Sequence, residues 1–134
     1  MAFCILPEMK ILFDNGAANN YRIQSYSADS FTINNERITS GILISAKRLI
    51  PNWPPQTMAD LATQHLETII ALEPEIVLFG TGKRLIFPDE MIISTITSRY
   101  IGVEFMDTGA ACRSYNLLMS DDRKVVAALL LQGV

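Results

Sequence analysis

Apolar and polar positions along the chain fall into segments of two periods. Residues 21–27 and 31–33 alternate in polarity and are rich in strand formers, with the turn-forming run "SADS" between them. Asn34-Asn35 supplies the next turn, because Asn accepts the left-handed conformation that a tight hairpin needs. Residues 37–45 read as a third strand, with Ile38, Ile42 and Ile44 on one face. Together these predict an antiparallel meander. Residues 47–56, "KRLIPNWPPQ", read as a loop, since three prolines exclude helix and central strand. Trp53 within it is expected to be at least half buried, as a lid over the core.

The period then changes. Residues 57–72 place Met58, Leu61, Ala62, His65, Ile69 and Leu72 in one stripe at helical spacing, behind a capping box of Thr57 and Asp60. His65 sits on the apolar face and is expected to be structural. Residues 75–79, "EIVLF", form a continuous apolar run, the pattern of a parallel strand buried on both faces. Residues 89–99 predict a helix with Ile92, Ile93 and Ile96 inward and Pro88 near its first turn. Residues 101–106 predict a second buried strand, completing a right-handed βαβ unit. A helix over 108–120, with Ala111, Tyr115 and Leu118 as its apolar row, and a final buried strand over 124–131 end the chain. The reading is an α/β single domain over residues 1–134, with residues 1–20 as an N-terminal arm ahead of the meander.

Composition narrows the classes of function. The chain has 134 residues, 49 % hydrophobic and 19 % charged, enough to bury a core. Its net charge of −3 argues against nucleic acid as a partner, which calls for a surplus of Lys and Arg. The adjacent basic pairs are Lys47-Arg48, Lys83-Arg84 and Arg123-Lys124. Cys4 and Cys112 lie far apart, no CxxC occurs and there is one His, so neither a metal site nor a cofactor is expected. No apolar run approaches the ~20 residues that span a bilayer, so no membrane insertion is expected and the location expected is cytoplasmic.

The candidate chemistry lies at two strand ends. Gly80-Thr81-Gly82-Lys83 fails the Walker pattern, with Val77 and Arg84 at the required positions, and fails the dinucleotide pattern, with Leu85 in place of the third Gly. It remains a Gly-rich turn whose N–H groups suit an anion. Asp107-Thr108-Gly109 matches a single aspartic-protease triplet, but that mechanism needs two carboxylates, and the triplet opens a helix where a cap is expected. Cys112 follows in the first turns and is expected to pack as a small buried residue. No nucleophile–base pair is present, so no catalytic residue is assigned. If the two strands are neighbours, their turns face each other. The candidate ligand site is then a crevice of Gly80, Thr81, Gly82, Lys83, Asp107, Thr108 and Arg113, with Asn116 on the Arg113 side, suited to a small anionic ligand.

These same blocks carry a family resemblance. "LIPNWPP", "VLFGTGKRLIFP" and "GVEFMDTGAACRSYNLLMSDDRKVVAALL" resemble a family of small bacterial and archaeal domains of unknown function. The family is related to the mitochondrial respiratory complex I assembly factor 3 and to an adipogenesis-associated vertebrate protein. The resemblance covers about residues 20–132. It implies a three-layer α/β domain with a central mixed β-sheet flanked by helices, its last strand antiparallel. It implies no enzyme activity, and an assembly-helper role with an unidentified protein partner. An apolar patch for that partner is expected near the Pro-rich loop around Trp53. The other class of function is a small-molecule site, binding or catalytic, in the crevice.

Overall fold

The computed structural model describes residues 20–131. All of the expected arm except Asn20, including Cys4, lies outside the described residues. Five short strands come first: β1 (Ile23–Tyr26), β2 (Phe31–Ile33), β3 (Glu36–Ile38), β4 (Ile42–Ile44) and β5 (Leu49–Pro51). Two 3-10 turns, Met58–Asp60 and Thr63–Leu66, lead into α1 (Glu67–Ala71). Then follow β6 (Ile76–Gly80), α2 (Glu90–Thr97), β7 (Gly102–Met106), α3 (Thr108–Ser120) and β8 (Val125–Leu129).

Strands β1–β3 form the expected antiparallel meander, turned by Asn34 and Asn35, both at positive φ. The other five make a mixed sheet in the order β5-β4-β8-β6-β7. β6 is parallel to β7 on one side and to β8 on the other, while β4 is antiparallel to β8 and to β5.

Side chains alternate across this sheet and build two cores. Leu78, Val125, Ala127 and Leu129 point to one face, where Ala111, Tyr115 and Met119 of α3 and Phe31 and Ile33 of the meander cover them. Val77, Phe79, Val126 and Ala128 point to the other, beneath Trp53, Leu66, Ile69, Ile92 and Ile96. The result is three layers. The chain moves outward from β6 to β7 through α2, then back across β6 to β8 through α3. Two right-handed crossovers in opposite directions place their helices on opposite faces, as found here.

Five expectations change. The C-terminal strand is not antiparallel to its β6 neighbour: β8 runs parallel to β6, and its antiparallel partner is β4. The reason is geometric. α3 carries the chain back to the end of the sheet where β6 and β7 begin, so β8 must start there too. The expected strand over 37–45 breaks into β3 and β4 in different sheets. Residues 39–41 step from the meander layer into the main sheet. Ile38, Ile42 and Ile44 still face one core, so the period survives although the ladder does not.

The expected loop 47–56 contains β5, which ends at Pro51 on the sheet edge, where a missing N–H is tolerated. The expected helix 57–72 is interrupted at Leu61 and Ala62, both in extended conformation. Thr57 Oγ1 meets Asp60 Oδ2 at 3.2 Å instead of capping the backbone. Leu66, outside the expected stripe, is fully buried. β7 is an edge strand and only half covered: Val103 and Phe105 pack inward, whereas Gly102 and Glu104 are exposed.

Candidate functional site

The two Gly-rich turns meet, as their strand pairing requires. Gly80 is in register with Met106, and beyond them Thr81 N–H donates to Met106 O at 2.9 Å. Thr108 N–H donates to Gly82 O at 2.9 Å, and Gly82 N–H donates to Thr108 Oγ1 at 2.9 Å. The same hydroxyl donates to Leu130 O at 2.7 Å, so Thr108 joins the ends of β6, β7 and β8. Glycine is needed at two places. A Cβ on Gly80 would come within 2.9 Å of Leu129 and 3.0 Å of Thr108, and Gly82 has φ +105°. Thr81 is buried, and its Oγ1 donates to Arg84 O and accepts from Ile86 N–H, shaping the loop that follows.

The N-terminus of α3 is capped as expected. Asp107 Oδ1 accepts from Ala110 N–H at 2.9 Å, and Asp107 O accepts from Ala111 N–H at 3.0 Å. The cap and the inter-turn bonds together occupy the N–H groups of Thr108, Ala110 and Ala111.

The remaining candidate residues separate from this knot. Lys83 is exposed on the turn. Arg113 is exposed too, and its Nη1 donates to Tyr26 Oη at 2.6 Å. Asn116 faces β1: its Nδ2 donates to Ile23 O at 2.8 Å and its Oδ1 accepts from Ile23 N–H at 3.0 Å. Its amide thus acts as one more strand partner, fastening the meander to α3. Tyr115 works beside it, donating to Tyr21 O at 2.7 Å, and burial pushes its phenol pKa up. Of the eight candidates, the fold brings together Gly80, Thr81, Gly82, Asp107 and Thr108; Arg113 and Asn116 are engaged with β1, and Lys83 is exposed on the turn.

Cys112 is buried, and burial pushes its thiol up to about 12 despite the opposing charge of Arg113. Such a thiol stays protonated and is a poor nucleophile. His65 Nδ1 accepts from Ala62 N–H at 2.9 Å and caps the second 3-10 turn, the structural role expected of it. Trp53 is 6 % exposed and stands edge-on to His65 and tilted on Phe79, both with centroids at 6.4 Å. It is the expected lid.

With Trp53 buried, the apolar patch expected around it does not form there. Among the described residues, four of the six large exposed apolar side chains gather instead at Leu85, Ile86, Phe87 (65 %) and Met91 (66 %), on the loop after β6 and the start of α2; Tyr100 and Leu117 are the other two. An aromatic row connects this patch to the core. Phe79 stacks on Phe105 at 5.0 Å, and Phe105 meets Phe87 edge-on at 5.7 Å. Phe105 belongs to β7, whose outer edge carries no strand among the described residues. The signal was present in the sequence: an apolar triplet, "LIF", between a glycine turn and a proline, too short for an element of its own.

Three layers around a mixed sheet, with the meander packed beside α3, place the chain among α/β domains similar to one described as Mth938-like. A solved Mth938-like domain from Bordetella pertussis matches with a TM-score of 0.78 at 29 % identity, covering 93 % of this chain and 94 % of its own. A crystal structure of a Bordetella parapertussis protein matches with a TM-score of 0.78 at 33 % identity, covering 84 % of this chain and 96 % of that one. The chain belongs to the family described as protein of unknown function DUF498/DUF598, which its residues 23–130 match.

Among named relatives, the chain is 29 % identical to the "13 kDa major membrane protein" of Francisella tularensis over 80 % of its own length and 88 % of that protein. It is 30 % identical to NADH dehydrogenase (ubiquinone) 1 alpha subcomplex assembly factor 3 of Xenopus tropicalis, over 81 % of this chain and 60 % of the relative. The human assembly factor is also 30 % identical, over 89 % of this chain and 65 % of its own length. This chain therefore spans about three-fifths of those assembly factors. Among the described residues, no helix is long and apolar enough to cross a membrane.

Proposed function

We propose that this domain is a non-enzymatic protein-binding module with an assembly-helper role, and that its partner docks on the patch of Leu85, Ile86, Phe87 and Met91 beside the edge of β7. The observation that carries the reading is the exposure of these four side chains in one stretch next to an open strand. Exposed apolar clusters of this kind mark interaction sites. An open edge adds a row of backbone donors and acceptors that an extended partner segment can pair. The kinship with complex I assembly factors supports the same reading.

Affinity purification with gentle crosslinking tests it. The parent chain is expected to recover a defined partner, and a Phe87→Ser, Met91→Ser variant to lose it while still melting as a cooperatively folded protein. Equal recovery with both chains would move the interface elsewhere. No partner, together with a small anion retained by the purified protein and released on Lys83→Ala, would favour the crevice of residues 80–83 and 107–108 as a ligand site.

A further inference from the structure

At the opposite end of the sheet from those turns, where β6 and β8 begin, lies a cleft of about 440 Å³. That volume falls within the roughly 300–1,000 Å³ of small-molecule sites. Its floor is apolar, formed by Leu72, Pro74, Met119, Val125 and Val126. Its rim holds Lys47, Arg48, Arg123 and Lys124 against one carboxylate, Asp122. Two of the three adjacent basic pairs, some 75 residues apart in sequence, therefore converge on one opening in a chain whose net charge is −3. Glu75 holds Arg123 at 2.8 Å and, with Asp122, offsets two of the four positive charges, so the rim keeps a surplus of two. Asn20 completes the wall. Its Nδ2 donates to Met119 Sδ at 3.5 Å, which holds the amide against the floor.

We infer that this cleft binds a single-chain anionic amphiphile, with a carboxylate at the basic rim and an apolar tail on the floor formed by Leu72, Met119 and Val126. An apolar floor alone would take any greasy molecule, and a basic rim alone would take any anion. Their combination selects a molecule with both ends. The concave shape suits one free molecule better than a bilayer surface.

Calorimetric titration of the full chain with decanoate, below its micelle-forming concentration, tests the inference. Decanoate is expected to saturate a single site and to bind roughly tenfold tighter than 1-decanol, as a charge-assisted contact allows. Inorganic phosphate is expected not to bind there. Arg48→Glu with Lys124→Glu changes exposed side chains only and is expected to weaken decanoate by roughly tenfold or more while leaving decanol unchanged. Absence of saturable binding would overturn the inference. It would equally fall if decanol or decylamine bound as well as decanoate, if the double variant bound like the parent, or if phosphatidylglycerol vesicles bound the protein and decanoate did not.

Discussion

At the residue scale, the densest bonding lies at Thr108. One hydroxyl satisfies Gly82 N–H and Leu130 O, both in a buried setting, and so ties three strand ends together. Thr108→Val keeps the shape and orphans both groups, at a cost of about 1–3 kcal/mol for each. Chemical denaturation should therefore show a loss of about 2–6 kcal/mol; a loss below 1 kcal/mol would mean that water replaces the hydroxyl. Cys112 makes a second prediction. Burial raises its pKa from 9.0 to about 12, so the folded state holds its proton more tightly than the unfolded state does. The stability from this thiol is fully present below pH 9.0 and is lost as pH rises toward 12. Iodoacetamide at pH 8 should modify Cys112 only after unfolding, and rapid labelling of the folded protein would refute its burial.

How legible each residue was in the sequence depended on how local its role is. Asp107 as a cap, Cys112 as core and Trp53 as a lid follow from chain neighbours and residue type. Asn116 does not. Its amide is spent on the backbone of Ile23, 93 positions away, and only the packing of the meander against α3 reveals that. Arg113 is similar: its contact with Tyr26 depends on the same packing.

At the element scale, periodicity located β6, α2, β7, α3 and β8. α3 runs over Thr108–Ser120, as its cap and its stop at Asp121-Asp122 indicate. What periodicity leaves open is the partner of each strand. A fully apolar β8 signals a central strand, but burial alone does not distinguish parallel from antiparallel neighbours. Short elements were the least legible. β5 has three residues, and the 57–72 stretch has helical spacing even though its backbone is broken at Leu61 and Ala62. The centre of the sheet is closely packed because Ala127 and Ala128 are small and lie between α3 on one face and the cluster of Trp53, Leu66 and Ile69 on the other. Ala128→Leu should overfill that cluster and destabilise the fold by about 1–3 kcal/mol. An unchanged denaturation midpoint would indicate a void on that face.

At the scale of the whole molecule, the two ends of the sheet differ in kind. The carboxyl ends of β6, β7 and β8 are sealed by hydrogen bonds, while the apolar 85–91 stretch beside them is turned outward. The opposite end is open, basic at its rim and apolar within. Met91→Ser should change stability by no more than about 0.5 kcal/mol, and Phe87→Ser, which loses its edge-on contact with Phe105, by about 0.5–1.5 kcal/mol. Both losses are small enough that the proposed docking can be tested on folded protein. The most direct measurement is a photo-crosslinking amino acid placed at position 87 in living cells, with position 36 on the exposed meander as the control. The account predicts a single defined crosslinked protein from position 87 and none from position 36. Crosslinking of that protein from position 36 but not from 87 would contradict it.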